Sequence, residues 1–242
     1  MSTEFAVTFL TDYIRKKADS GNLTGVLYIN LSKTFDTISH SLLLNKLPSY
    51  GITDRELGWF TDYLFLRKQS VEVNGTLSNA YPVYTGVPQR SILGPLLFLF
   101  HMNDIRRCLK HSSIITYADD TVLFTLSKCV HDIERRLNED INSVHRWLNE
   151  NELILNSKKG KTEPMLFGTG KKLSLLGGKQ LEIHVDGKLI NSTTTYKYLG
   201  VHLDPTLTLA THFDKTSKKA ASRVNMMRKI RNSLTSNAAE AL

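Results

Sequence analysis

Residues 114–124 read Ile-Ile-Thr-Tyr-Ala-Asp-Asp-Thr-Val-Leu-Phe. Ile114–Thr116 and Val122–Phe124 have the β-branched and aromatic make-up of strands, and Tyr117-Ala118-Asp119-Asp120 lies between them. Side chains alternate along a strand, so the two acids point the same way only if they sit in a tight turn. Such a turn sets two carboxylates at the end of a sheet, where oxygen ligands suit Mg2+. An ordinary Asp-rich hairpin turn has the same composition.

Outward from this pair the chain mixes helices with hairpins. Thr3–Ala18 predicts a helix with Val7, Leu10 and Ile14 on its apolar face, and Gly21 stops it. Gly25–Leu31 (GVLYINL) is a short buried-strand run. Ser41–Leu47 and Glu56–Leu66 read as helices. Ser70–Asn74 alternates Val71 and Val73 ahead of an Asn74-Gly75 turn. Ser91–Cys108 is helical in pattern. His131–Glu150 is the clearest helix, with Ile133, Leu137, Ile141, Val144 and Leu148 on one face. Strands follow around Met165–Phe167, Leu181–Val185 and Tyr196–Leu203, and a basic helix begins near His212. Strand and helix do not alternate steadily, so the fold class is α+β, an antiparallel sheet backed by helices.

The 242 residues are 41% apolar and 22% charged, enough to bury a core. Lysine and arginine exceed the acids by 31 to 23, which favours an anionic partner. Two cysteines, Cys108 and Cys129, cannot make a disulfide framework, and no Cys/His cluster has zinc spacing. The longest apolar run, near Ile92–Phe100, is interrupted by Gly94 and Pro95 and is too short for a bilayer. No membrane partner is expected, and the amphipathic N-terminus lacks a signal-peptide core.

Five stretches in order carry a resemblance. They are Leu27–His40 (LYINLSKTFDTISH), Thr85–Phe98 (TGVPQRSILGPLLF), the Tyr117–Asp120 box, Leu153–Gly168 (LILNSKKGKTEPMLFG) and Tyr196–Asp204 (YKYLGVHLD). Together they resemble the palm motifs of reverse transcriptases, and the wording is similar to that of non-LTR (LINE-like) retrotransposon enzymes. The resemblance implies a polymerase palm with a fingers remnant over residues 1–205, and the start of a helical thumb over 206–242. It implies RNA-directed DNA synthesis by two-metal nucleotidyl transfer, with two Mg2+ ions (or Mn2+), a dNTP substrate, an RNA template and a DNA primer. A nuclear or cytoplasmic location follows from the life cycle of such elements.

By the same resemblance, Asp119, Asp120 and the backbone carbonyl of Leu31 are metal ligands. Lys161, or Lys159, approaches the leaving pyrophosphate as an acid. Phe35 lies under the sugar, and Gln89 and Arg90 face the nucleotide or template. Tyr198 and Gly200 belong to a hairpin gripping the primer strand. Each has a plainer reading: Phe35 as core, the lysines as a solvated loop, and Tyr196 and Tyr198 as sheet packing.

Two departures matter. The family pattern Asp-Leu-Ser-Lys-Ala-Phe-Asp is here Asn30-Leu31-Ser32-Lys33-Thr34-Phe35-Asp36, so Asn30 stands where the first metal-bridging acid is expected. An amide oxygen brings no negative charge. Asp36 reads as a helix cap rather than a substitute ligand. The second departure is Arg90, where the family has a turn glycine. Together with the short segment before the first motif, these departures give the expectation of a fragment or degraded copy with impaired catalysis. The rival expectation is a catalytically inactive nucleic-acid-binding remnant.

Beyond the motifs, Lys215, Lys218, Lys219, Arg223, Arg228, Lys229 and Arg231 form a basic run without an acid. Ala220, Val224, Met227, Ile230 and Leu234 form an apolar stripe at helical spacing. A helix of this kind can bury one face and lay the other along a phosphate backbone.

Overall fold

The computed structural model describes residues 2–65, 67–88, 91–156, 158 and 160–230. Helix α1 (Thr3–Asp19) starts where the Ser2 hydroxyl accepts the Phe5 amide, and Lys16 and Lys17 sit favourably in its last turn. Strand β1 (Leu23–Asn30) follows. Then come the short α2 (Thr34–Thr37), α3 (His40–Lys46), a 3-10 turn (Leu47–Tyr50) and α4 (Asp54–Phe65). Four two-residue strands come next: β2 (Lys68–Gln69), β3 (Glu72–Val73), β4 (Thr76–Leu77) and β5 (Tyr81–Pro82). Asn74 and Gly75, both at positive φ, turn β3 into β4. After α5 (Gly94–Met102) and a 3-10 segment (Asn103–Cys108) come β6 (Ser113–Tyr117), β7 (Asp120–Ser127) and α6 (Val130–Glu150). The remainder is β8 (Glu163–Phe167), α7 (Gly170–Leu175), β9 (Ile183–Val185), β10 (Lys188–Ile190), β11 (Tyr196–Tyr198), β12 (Val201–Leu203) and α8 (Ala210–Ile230).

The centre is a four-stranded antiparallel sheet in the order β6-β7-β1-β8. β1 is covered on both faces, so it reads as a continuous apolar run rather than an alternation. Leu23, Leu27 and Ile29 join the core under α6, while Val26 and Tyr28 join the core under α1. Gly25 lets α6 approach, since a Cβ there would stand 2.1 Å from Ile133 Cγ2. Ile133, Leu137, Ile141, Val144 and Leu148 of α6 are all fully buried, as their spacing predicts. Asp140, also fully buried, accepts the amides of Lys110, His111 and Ser112 and fixes the loop entering β6.

Two expectations need correction, the helix over Ser91–Cys108 and the apolar stripe of α8. The helix over Ser91–Cys108 begins only at Gly94, because the Ser91 hydroxyl donates to the Pro88 carbonyl and accepts the Gly94 amide, making a turn ahead of the helix. It also tightens to 3-10 after Met102. The hairpin implied at Tyr198–Gly200 divides Tyr196–Leu203 into two paired strands, turning at Leu199 and Gly200, both at positive φ. In the α8 stripe Ala220, Val224 and Met227 stay exposed, the last two at 47% and 40%, so no apolar face is buried over those positions; Leu234 lies outside the described residues. No described helix is long and apolar enough to cross a membrane.

Candidate functional site

β6 and β7 are joined by Ala118 and Asp119 alone, with Tyr117 paired to Asp120. Ala118 has φ +49°, a left-handed conformation that costs a non-glycine residue about 1 kcal/mol. The tight turn inferred from the sequence is thus real. It leaves Asp119 exposed at the tip and Asp120 half-buried at the start of β7. The register of β1 on β7 sets Asn30 directly across from Asp120. The Asn30 Nδ2 donates to Asp120 Oδ1 at 3.4 Å, and the Leu31 amide donates to the Asp119 carbonyl at 3.4 Å. Asn30, Leu31, Asp119 and Asp120 therefore meet at one end of the sheet.

The segment between α6 and β8 closes this end from the other side. The Ser32 amide donates to the Ile154 carbonyl, and Leu31 bridges to Leu155. Asn156 donates to Asn30 twice, from its amide N to the carbonyl at 2.9 Å and from Nδ2 to Oδ1 at 3.5 Å. The Asn30 amide donates to Thr162 Oγ1 at 3.4 Å, and that hydroxyl donates to the Asn156 carbonyl at 2.8 Å. Asn156 and Thr162 belong to the Leu153–Gly168 stretch, where the lysines draw the eye; the short polar residues are the ones that reach β1. Lys161 is exposed beside them. Burial and the neighbouring Asp119 raise the Asp120 carboxyl above its ordinary value, against the opposing pull of the Asn30 hydrogen bond and the Lys161 charge.

An aromatic cluster underlies the site. Tyr28 on β1 stacks on Tyr196 and meets Tyr198 with ring centroids 5.7 Å apart. Burial pushes all three phenols up, and the Asp120 carboxylate adds to this for Tyr196 and Tyr198. The Tyr196 hydroxyl donates to the Lys161 carbonyl at 2.8 Å. Tyr198 is 1% exposed, so its side chain is part of the core, in keeping with the plainer reading of sheet packing. Gly200 stays exposed in the turn.

Phe35, half-buried in α2, stacks on Phe98 at 4.8 Å, so the core reading holds for much of its ring. Asp36 lies inside α2, and the caps of α2 and α3 are Lys33 and Ser39, so the expected capping role is corrected. Residues 85–88 lie against this turn. The Gly86 amide donates to Ile38, the Val87 amide donates to Phe35, and the His40 Nε2 contacts the Gly86 carbonyl at 2.8 Å. Gln89, Arg90, Lys159 and Arg231 lie outside the described residues. Lys215, Lys218, Lys219, Arg223, Arg228 and Lys229 are exposed along α8, with Lys218 paired to Asp214.

The donor set does not fit a pair of divalent ions. Among the described residues no three His, Cys, Asp or Glu side chains gather closely enough to hold one. The third group beside Asp119 and Asp120 is a neutral amide, and its NH2 faces the carboxylate.

A family model described as reverse transcriptase (RNA-dependent DNA polymerase) matches residues 3–203. Curated relatives include the "Probable RNA-directed DNA polymerase from transposon BS" of Drosophila melanogaster, 29% identical over 94% of this chain. The RNA-directed DNA polymerase from mobile element jockey of Drosophila funebris is 27% identical over 91%. This chain spans 25% and 24% of those proteins' lengths. Among solved structures, telomerase from Candida albicans in complex with a TWJ fragment of telomeric RNA superposes with TM-score 0.59 at 12% identity, covering 85% of this chain and 34% of that one. Apo telomerase from Candida tropicalis gives 0.56 at 13%, covering 86% and 39%. At these identities the likeness is one of fold.

Proposed function

Since the chain belongs to the reverse transcriptase (RNA-dependent DNA polymerase) family, we propose that it is the palm of an RNA-templated DNA polymerase whose nucleotidyl transfer is impaired at Asn30. The observation that carries this reading is the pairing of Asn30 with Asp120 at the sheet end. The fold supplies the polymerase scaffold, and the family works with divalent metal ions. The position that should add a second anionic arm carries an amide. A preorganised electrostatic group of this kind is worth on the order of 10²–10³ in rate, so its loss leaves slow extension at best.

On this reading residues 1–205 form the palm with part of the fingers, and α8 opens the thumb. The partners are an RNA template and a DNA primer, a dNTP is the substrate, and the site of action is nuclear or cytoplasmic. Mg2+ or Mn2+ is the ion the restored site would take. The test is primer extension on an RNA template with either ion, using the wild-type chain and the Asn30→Asp, Arg90→Gly double variant. Near-normal extension by the wild type overturns the impairment; extension only by the variant supports it.

The exposed basic face of α8 favours a second reading, a palm that only binds nucleic acid. A double variant that binds template–primer without extending it decides for that reading.

A further inference from the structure

Asn30 uses every polar group it has. Its amide N–H goes to Thr162 Oγ1 and its carbonyl receives the Asn156 amide. Its side-chain oxygen receives Asn156 Nδ2, and its side-chain nitrogen donates to Asp120 Oδ1. These four bonds tie β1 to β7, to Asn156 and to Thr162 at the approach to β8. The one made by Nδ2 is of a different kind, because it offers partial positive charge to a half-buried carboxylate with a second acid next in sequence. In an acidic sheet end that role falls to a cation.

We infer that Asn30 is a built-in replacement for a metal ion: its amide closes the acidic end of the sheet by hydrogen bonding, so the palm of this chain is stable without divalent cation. The inference rests on the reading of this sheet end as a former metal site, and it goes further by giving the replaced residue a structural job. An aspartate at position 30 would keep the bonds made by the backbone and by Asn156. It would lose the donor to Asp120 and set two carboxylates face to face in paired register, with Asp119 adjacent. Such a cluster adds repulsion to what the nearby Lys161 charge now offsets, and a bound cation would relieve it.

The test uses thermal melts of the full chain without nucleic acid, in EDTA and in millimolar Mn2+, so its result is independent of polymerase activity. The wild type is expected to melt at the same temperature in both. Asn30→Asp is expected to melt about 5 °C lower in EDTA, and Mn2+ should recover most of that loss. The swap Asn30→Asp with Asp120→Asn returns one amide and one carboxylate to the pair. It should regain most of the stability in EDTA and lose the response to Mn2+.

Three results overturn the inference: wild-type stability that climbs with Mn2+ as steeply as that of Asn30→Asp, an Asn30→Asp variant unaffected in EDTA, or a swap no more stable than the single variant. Should Asn30→Asp not fold, the wild type's indifference to Mn2+ and the stability of the swap still decide it. If the melts fail while template–primer extension behaves as proposed, only the replacement role falls. If they succeed and neither binding nor extension is seen, only the polymerase reading falls.

Discussion

Tyr28 on the central strand and Tyr196 on the β11–β12 hairpin lie ring on ring, 4.0 Å between centroids and 7° from parallel. Residues 168 positions apart in the chain are thereby clamped face to face, and Tyr196 reaches on to the Lys161 carbonyl. The stack joins the hairpin to the strand that carries Asn30.

Removing either ring should be costly. Tyr28→Ala is expected to destabilise the fold by about 3–5 kcal/mol, the range for deleting a large buried aromatic. Tyr28→Phe should be near neutral, because the buried Tyr28 hydroxyl has no hydrogen-bond partner among the described residues. Urea unfolding of the two variants measures the difference.

Gly86 is held at φ +80°, and a Cβ there would stand 2.8 Å from the Asp36 carbonyl oxygen. Both strain and collision fall on backbone that cannot swing aside. Gly86→Ala is expected to cost about 2 kcal/mol or more and to shift the turn bearing Phe35. Equilibrium unfolding gives the cost.

His101 is fully buried, and burial together with the nearby Lys46 lowers its pKa to about 4. Unfolded, it would titrate near 6.5. Between these values the unfolded chain holds more protons than the folded one, so stability is full above about pH 6.5 and declines toward pH 4, by roughly 3 kcal/mol for this group. His40, also lowered by burial, adds in the same direction. Denaturation midpoints across that window should slope upward with pH, and His101→Gln should flatten the slope.

Asp140→Ala should remove the acceptor of three backbone amides and cost about 3 kcal/mol. Hydrogen exchange at Lys110, His111 and Ser112 should rise with it.

Nucleic-acid binding should weaken steeply with salt. Replacing Lys215, Lys219 and Arg223 by alanine should lower the slope of log affinity against log salt by roughly 0.7–0.9 for each phosphate no longer neutralised. Lys218, already paired with Asp214, should contribute less. Binding titrations at several salt concentrations give the slopes.

The parts of this molecule legible in its sequence are those governed by local repetition or local turn chemistry. The α6 periodicity placed five buried side chains, and Asn74-Gly75 and the Asp119-Asp120 dipeptide marked real turns. Asp140 was not legible as buried, because its partners are amides of a loop 28–30 residues away. The contacts of Asn156 and Thr162 with Asn30 span 126 and 132 positions, and nothing local announces them. Tyr198 shows the converse. Its alternation with Tyr196 suggested a shared face, but only the packing of the hairpin onto Tyr28 decides that one ring is sealed.

The strand order β6-β7-β1-β8 has a kinetic consequence. The central strand finds one neighbour about a hundred residues later and the other about 140 residues later. Both pairings close long loops before any hydrogen bond is returned, and folds of that kind assemble slowly. Helices α1 and α6 can form early from neighbouring residues. The meeting of Asn30 with Asp120 has to wait for the first of these closures, and its contacts with Asn156 and Thr162 wait longer still.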